Sequence, residues 1–105
     1  NKKSGGAIIL GGRGGITSLK LESVNNEGGR MTCFNLRGSE TVYVGTNKIN
    51  GGQIKTYNGL GLETVFIGTD QNDAGLLSVN NNAGLFRAMV GVGRGDKGLL
   101  NSASR

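Results

Sequence analysis

Apolar and polar residues alternate over short stretches of the chain, and the alternation returns at fixed distances. One apolar position near the start of each stretch is occupied by Ile8, Met31, Ile54, Leu77 and Leu100. Because successive side chains of a β-strand point to opposite faces of a sheet, this alternation predicts short strands with one apolar face. No stretch keeps helical spacing over three turns, so we expect helix to be nearly absent.

Three further apolar columns accompany the first, and together they predict two strands in every repeating unit. Many members are β-branched, a type that suits a pleated surface. The columns are Leu10, Cys33, Thr56 and Val79; Leu19, Val42, Val65 and Ala88; and Leu21, Val44, Ile67 and Val90.

Glycine marks the same period of 23 residues. One column is Gly6, Gly29, Gly52, Gly75 and Gly98, and a second is Gly15, Gly38, Gly61 and Gly84. Self-similarity at a fixed period is the signature of a repeat protein. The spacing predicts an N-terminal extension over residues 1–4, four repeats over residues 5–96, and a truncated fifth repeat with an exit segment over residues 97–105.

Two kinds of connection are expected in each unit. Between the two strands stands Asn-x-x-Gly, at Asn35–Gly38, Asn58–Gly61 and Asn81–Gly84. Asn suits the first position of a turn and Gly supplies the positive φ that ends it. The connection to the next unit, for example Gly68–Asp73, is interpreted as a polar, flexible return.

The period and the strand pattern predict an all-β fold. Two or three short strands in a 23-residue unit are typical of a repetitive β-solenoid or an intertwined trimeric β-helix, here with about four units. In such a fold each unit stacks on the next, and equal positions lie about 4.8 Å apart.

The composition makes a self-sufficient core difficult to build. Hydrophobic residues are 35% of the chain, against roughly 45–50% in ordinary globular proteins. Conformational entropy of about 1.5 kcal/mol per residue opposes folding, and the inward columns provide few apolar side chains for burial. We therefore favour a homotrimer, in which three chains bury these columns together, over a monomeric solenoid.

The residue types exclude several functional classes. The chain has no His and one Cys, so it lacks an imidazole base, a zinc cluster and an intrachain disulfide. We expect no enzyme activity, no cofactor and no metal site. The net charge is +5, but residues 5–96 carry only +1 of it, and so we expect no nucleic-acid binding. No apolar run is long enough for membrane insertion.

Four aromatic residues are the candidate site. Phe34 and Tyr57 share one column, Tyr43 and Phe66 share another, and both columns alternate with the inward ones. Exposed rings could pack on the faces of sugars, which would make a surface glycan a partner. The alternative, which we favour, is that the rings pack against a neighbouring chain.

The clearest copy of the repeating unit is Gly75-Leu76-Leu77-Ser78-Val79-Asn80-Asn81-Asn82-Ala83-Gly84. This unit resembles the Gly-rich β repeats of trimeric phage tail fibres and related bacterial surface fibres. The resemblance covers residues 5 to 100. It implies a rigid spacer and display scaffold for an adhesive or receptor-binding tip, located on a virion tail or at the cell surface. Two alternatives stay open: a glycan-binding fibre module, and a subunit that assembles end to end into filaments.

Overall fold

The computed structural model describes residues 5–24 and 26–102. They form a single antiparallel sheet of nine strands, which follow one another in chain order. The strands are β1 Ala7–Gly11, β2 Thr17–Val24, β3 Gly28–Phe34, β4 Glu40–Thr46, β5 Gly52–Tyr57, β6 Glu63–Thr69, β7 Gly75–Asn80, β8 Phe86–Val92 and β9 Gly98–Ser102.

Helix is limited, in the described ranges, to two 3-10 turns at Arg13–Gly15 and Arg94–Asp96. The prediction of an all-β chain that is nearly free of helix is confirmed. The predicted extension over residues 1–4 lies outside the described residues.

The sheet is open, and its units lie side by side as hairpins. Val42 pairs with Thr56, and Thr56 pairs with Val65. The equivalent residues Val42 and Val65 are therefore two strands apart, and the expectation that equal positions lie one strand apart is wrong. The reason is that both connections in each unit reverse the chain tightly, so each strand pairs with its immediate neighbours in sequence.

Three of the four turns between the strands of one hairpin share the same chemistry. Asn58 Oδ1 accepts hydrogen bonds from the backbone N–H groups of Leu60 at 2.9 Å and Leu62 at 3.1 Å. Gly61 has a φ of +84°, a conformation that glycine adopts without steric cost. Asn35 and Asn81 form the same pair of bonds in their own turns.

The connection between units is an equally tight turn, in contrast to the flexible return expected from the sequence. Asn47 and Asp70 each accept hydrogen bonds from the backbone N–H groups two and four residues later. The residue with a left-handed backbone conformation is Asn50 in one turn, with a φ of 69°, and Asp73 in the other, with a φ of 63°. Asn and Asp tolerate this conformation better than other residues that have a Cβ, so Asx-x-x-Asx here performs the task of Asn-x-x-Gly.

A β-bulge recurs in the second strand of each hairpin. Cys33 pairs with Val42, whereas Phe34 pairs with Glu40, which leaves Thr41 as the extra residue. The Thr41 hydroxyl donates to the Cys33 carbonyl at 3.2 Å. Such bulges increase local twist and re-aim side chains. The extra residues are Ser18, Thr41, Thr64 and Arg87.

The predicted inward columns all lie on one side of the sheet, which we call the apolar face. Cross-strand pairing joins them into two rows that contain no charged side chain. The rows are Leu10, Leu19, Cys33, Val42, Thr56, Val65, Val79, Ala88 and Ser102; and Ile8, Leu21, Met31, Val44, Ile54, Ile67, Leu77, Val90 and Leu100.

Nothing in the described chain covers the apolar face. The sheet extends over 46 × 31 × 14 Å, and no hydrophobic side chain in it is buried. Ile8 is 60% exposed and Leu100 is 77% exposed. The described residues therefore form one layer, whereas stable domains usually bury the apolar faces of their elements between two.

Candidate functional site

The opposite side of the sheet, which we call the polar face, carries the four candidate aromatic residues. Tyr43 pairs directly with Lys55, and Lys55 pairs directly with Phe66. Cβ atoms of directly opposed residues are about 4.5–5.5 Å apart, so the two rings flank the lysine stem. Lys55 Nζ also lies 3.7 Å from Glu63 Oε1. The row therefore alternates ring, cation and ring across three strands.

A glycine next to Tyr43 allows its ring to lie over the backbone. A Cβ placed on Gly45 would be 2.7 Å from the Tyr43 hydroxyl oxygen. In the first hairpin, Glu22 occupies the position that corresponds to Gly45. Its carboxylate receives a hydrogen bond from Arg30 Nε at 2.8 Å and lies 3.7 Å from Lys20 Nζ. The bond from Arg30 lowers the pKa of Glu22 below its ordinary value.

A groove with a volume of about 710 Å³ opens on the polar face beside the turns between units. Tyr43 and Phe66 both line it, and Phe34 and Tyr57 do not. Its other lining residues come from β4 to β7 and from three inter-unit turns: Asn26, Glu27, Thr46, Asn47, Lys48, Ile49, Asn50, Gln53, Lys55, Thr69, Asp70, Gln71 and Leu76.

Phe34 and Tyr57 lie at the opposite ends of the strands, next to the turns that join the two strands of a hairpin. Phe34 pairs with Glu40, and Tyr57 pairs with Glu63. Burial raises the pKa of Tyr57, and the negative charges of Glu40 and Glu63 raise it further. The structure thus separates the four aromatic candidates into two groups, of which one pair belongs to the groove.

Glu40 and Glu63 occupy equivalent positions in successive repeats, but their strands are not neighbours. Glu40 belongs to β4 and Glu63 to β6, and β5 lies between them. In the described ranges, no three His, Cys, Asp or Glu side chains gather closely enough to hold a metal ion. Neither helical turn in the described part of the chain has the length or apolar character needed to cross a bilayer.

The groove depends on turn residues that are not among the candidates predicted from the sequence. Asn47 Nδ2 donates to the Thr69 carbonyl at 2.9 Å, which ties one inter-unit turn to the end of β6. Asn58 makes a similar bond to the Asn82 carbonyl among the turns at the opposite ends of the strands. The repeated Asx positions were a usable signal for these turns, because an Asx side chain that bonds backbone N–H groups fixes a turn.

Comparison with models of known protein families and with curated protein sequences finds no match to this chain.

Proposed function

We propose that this chain is a structural segment of a β fibre in which copies of the chain pack their apolar faces together, with three copies around a common axis. The observation that carries the proposal is the uncovered apolar face, whose two rows cross nine strands without a charged side chain. Three charged residues of the strands, Lys20, Arg30 and Lys55, belong to the opposite face.

The size of the apolar face supports an interface between chains. Exposed apolar patches of more than a few hundred Å² mark interaction sites on soluble proteins. The sheet extends over 46 × 31 Å, and a standard interface buries about 800 Å² of each partner. One face therefore provides enough area for a specific and stable contact.

A second copy of the chain is the partner that fits best, because the two rows of the face consist mostly of apolar residues along all nine strands. Burial of apolar surface contributes about 25 cal/mol per Å², and interfaces of permanent oligomers are the more hydrophobic class. Rows without charged side chains also avoid the cost of leaving a charge unpaired in the contact. Copies of the same chain satisfy both conditions without requiring any other protein.

Strand length supports three copies. Strands of six or seven residues are about 20 Å long, and each contributes two apolar side chains at its centre, such as Val42 and Val44 in β4. Three sheets arranged as a triangular prism bring their centres to about 6 Å from the axis, a distance that Val, Leu and Ile side chains fill. The axis then runs across the strands, and further hairpins lengthen the object without widening it.

The proposed role follows from this shape. Nine strands at about 4.8 Å spacing account for most of the 46 Å length, so each 23-residue unit adds roughly 10 Å. Such an object is suited to act as a spacer and display scaffold. The resemblance to fibre repeats supports a place on a virion tail or at a cell surface.

Cys33 tests the proposal because it is half-buried on the apolar face and is the one cysteine of the chain. In the assembly its thiol is covered, so we expect slow labelling of the native protein by a maleimide. A matched control combines Cys33→Ser with Ser78→Cys, which moves the thiol to the polar face. That protein should label at least about tenfold faster. Equal rates in the two proteins would contradict the proposal.

A further inference from the structure

We infer that the groove on the polar face binds an uncharged oligosaccharide. Its volume of about 710 Å³ lies within the range of about 300–1,000 Å³ that is usual for ligand sites. The groove is on the side of the sheet opposite to the proposed interface between chains, so this inference does not depend on the proposed function. Assembly through the apolar face leaves the groove open.

Two rings form the apolar part of the groove. Tyr43 and Phe66 lie on either side of the Lys55 stem in one cross-strand row, and Leu76 extends the surface. Both rings are half-buried within the chain, so part of each remains accessible to a ligand. Aromatic faces attract the polarised C–H groups of a sugar ring and exclude water from them.

The polar part of the groove is rich in side-chain amides. Each amide offers two donors and one acceptor, a combination that matches hydroxyl groups, which also donate and accept. Asn47 holds its turn in place through bonds to Ile49, Gly51 and Thr69, so the wall is built before a ligand arrives. The amide residues that line the groove are Asn26, Asn47, Asn50, Gln53 and Gln71.

The charges of the groove favour a neutral ligand. Its lining contains the acids Glu27 and Asp70 and the bases Lys48 and Lys55, so opposite charges balance. Lys55 is also 3.7 Å from Glu63. A groove built for a phosphate, a sulfate or a nucleic acid would carry an excess of basic side chains. The combination of rings, amides and balanced charge matches an uncharged polyhydroxyl ligand.

The test begins with the full chain on a printed array of neutral and acidic oligosaccharides. We expect binding to neutral members, and calorimetric titration with the strongest of them gives the affinity. Tyr43→Ala and Phe66→Ala should each weaken this affinity at least about tenfold. Tyr57→Ala removes a ring of the same face outside the groove and should leave the affinity within about twofold.

A fourth variant separates binding from folding. Asn50 has a φ of 69°, so Asn50→Gly keeps the turn geometry while it removes an amide from the groove. We expect severalfold weaker binding of the oligosaccharide. The circular dichroism spectrum and the mass of the assembled chains should be unchanged.

Three results would overturn the inference. The first is an array without neutral ligands. The second is a preference for acidic ones. The third is a loss of chain assembly in Tyr43→Ala, which would assign the rings to packing between chains.

Discussion

Arg30 donates a hydrogen bond from Nε to Glu22 Oε2 at 2.8 Å, between directly paired residues of β3 and β2. In the three later hairpins the position of Glu22 is taken by Gly45, Gly68 and Gly91. An ion pair on the polar face therefore joins Glu22 of the first hairpin to the second hairpin, and at the position equivalent to Glu22 the second hairpin has a glycine with a tyrosine ring over it. This exchange gives the first hairpin a dependence on pH that the later ones lack at this position.

Glu22→Gln should reduce stability at neutral pH by about 1 kcal/mol. Because the bond from Arg30 lowers the pKa of Glu22 in the folded chain, its contribution is complete above the ordinary pKa of a glutamate. It disappears as the pH falls through the lowered value. Urea denaturation at several pH values measures this, and the variant should have a flatter profile on the acid side.

Glu27→Gln is the control for this measurement. The Glu27 carboxylate is 58% exposed and lies 3.7 Å from Arg30, and exposed pairs of this kind contribute little. If Glu27→Gln destabilised the chain as much as Glu22→Gln, the partly buried hydrogen bond between Arg30 and Glu22 would not be the cause.

Gly61→Ala should destabilise the chain by about 1–2 kcal/mol, because Gly61 has a φ of +84° and a Cβ is strained in that conformation. Gly59→Ala is a control in the same turn, since Gly59 lacks a positive φ and a Cβ there meets nothing within 4 Å. Thermal unfolding at a fixed protein concentration compares the two. A lower melting temperature in Gly59→Ala than in Gly61→Ala would contradict the turn geometry.

Tyr57 should titrate above the ordinary tyrosine pKa of 10.0 because it is partly buried and lies near Glu40 and Glu63. Tyr43→Phe leaves Tyr57 as the remaining tyrosine, so absorbance near 295 nm follows this group alone. Glu63→Gln in that background should move the midpoint down. A midpoint that stays in place would show that burial acts without help from the carboxylate.

Tyr57 also makes the stability of the folded chain depend on pH. Its raised pKa favours the neutral phenol in the folded chain. The contribution is therefore complete below the ordinary tyrosine pKa and is lost as the pH rises through the folded value.

The positions of the strands and their common apolar face followed from the sequence, because period-2 alternation determines which side chains share a face. The pairing of the strands did not. A 23-residue period suits a coil and a hairpin equally well, and the choice lies in the second connection. Asn47 and Asp70 close that connection with side-chain bonds to the backbone, and their similarity to Asn58 was the signal of a tight turn.

The candidate site was predictable in part. Alternation placed all four aromatic residues on the side opposite the apolar columns, and the structure agrees. It could not show that Tyr43 and Phe66 share a groove while Phe34 and Tyr57 lie elsewhere. That division depends on hairpin pairing and on the bulges at Thr41 and Thr64, which no column of the sequence specifies.

Val65→Asp should abolish assembly, because it places an unpaired charge in the apolar rows, where burial costs several kcal/mol. Ser78→Asp is the matched control. Ser78 lies on the neighbouring strand and the opposite face, so its variant should assemble like the original chain. Size-exclusion chromatography distinguishes the two. An unchanged elution volume for Val65→Asp would show that its face is not the interface.

Sedimentation equilibrium of the unmodified chain at micromolar concentration tests the assembly of apolar faces most directly, since it yields mass without assumptions about shape. We expect three times the chain mass of 10.8 kDa. A particle with the mass of one chain and a folded β spectrum would mean that the single-layer sheet is stable with its apolar face in water, and would contradict the account.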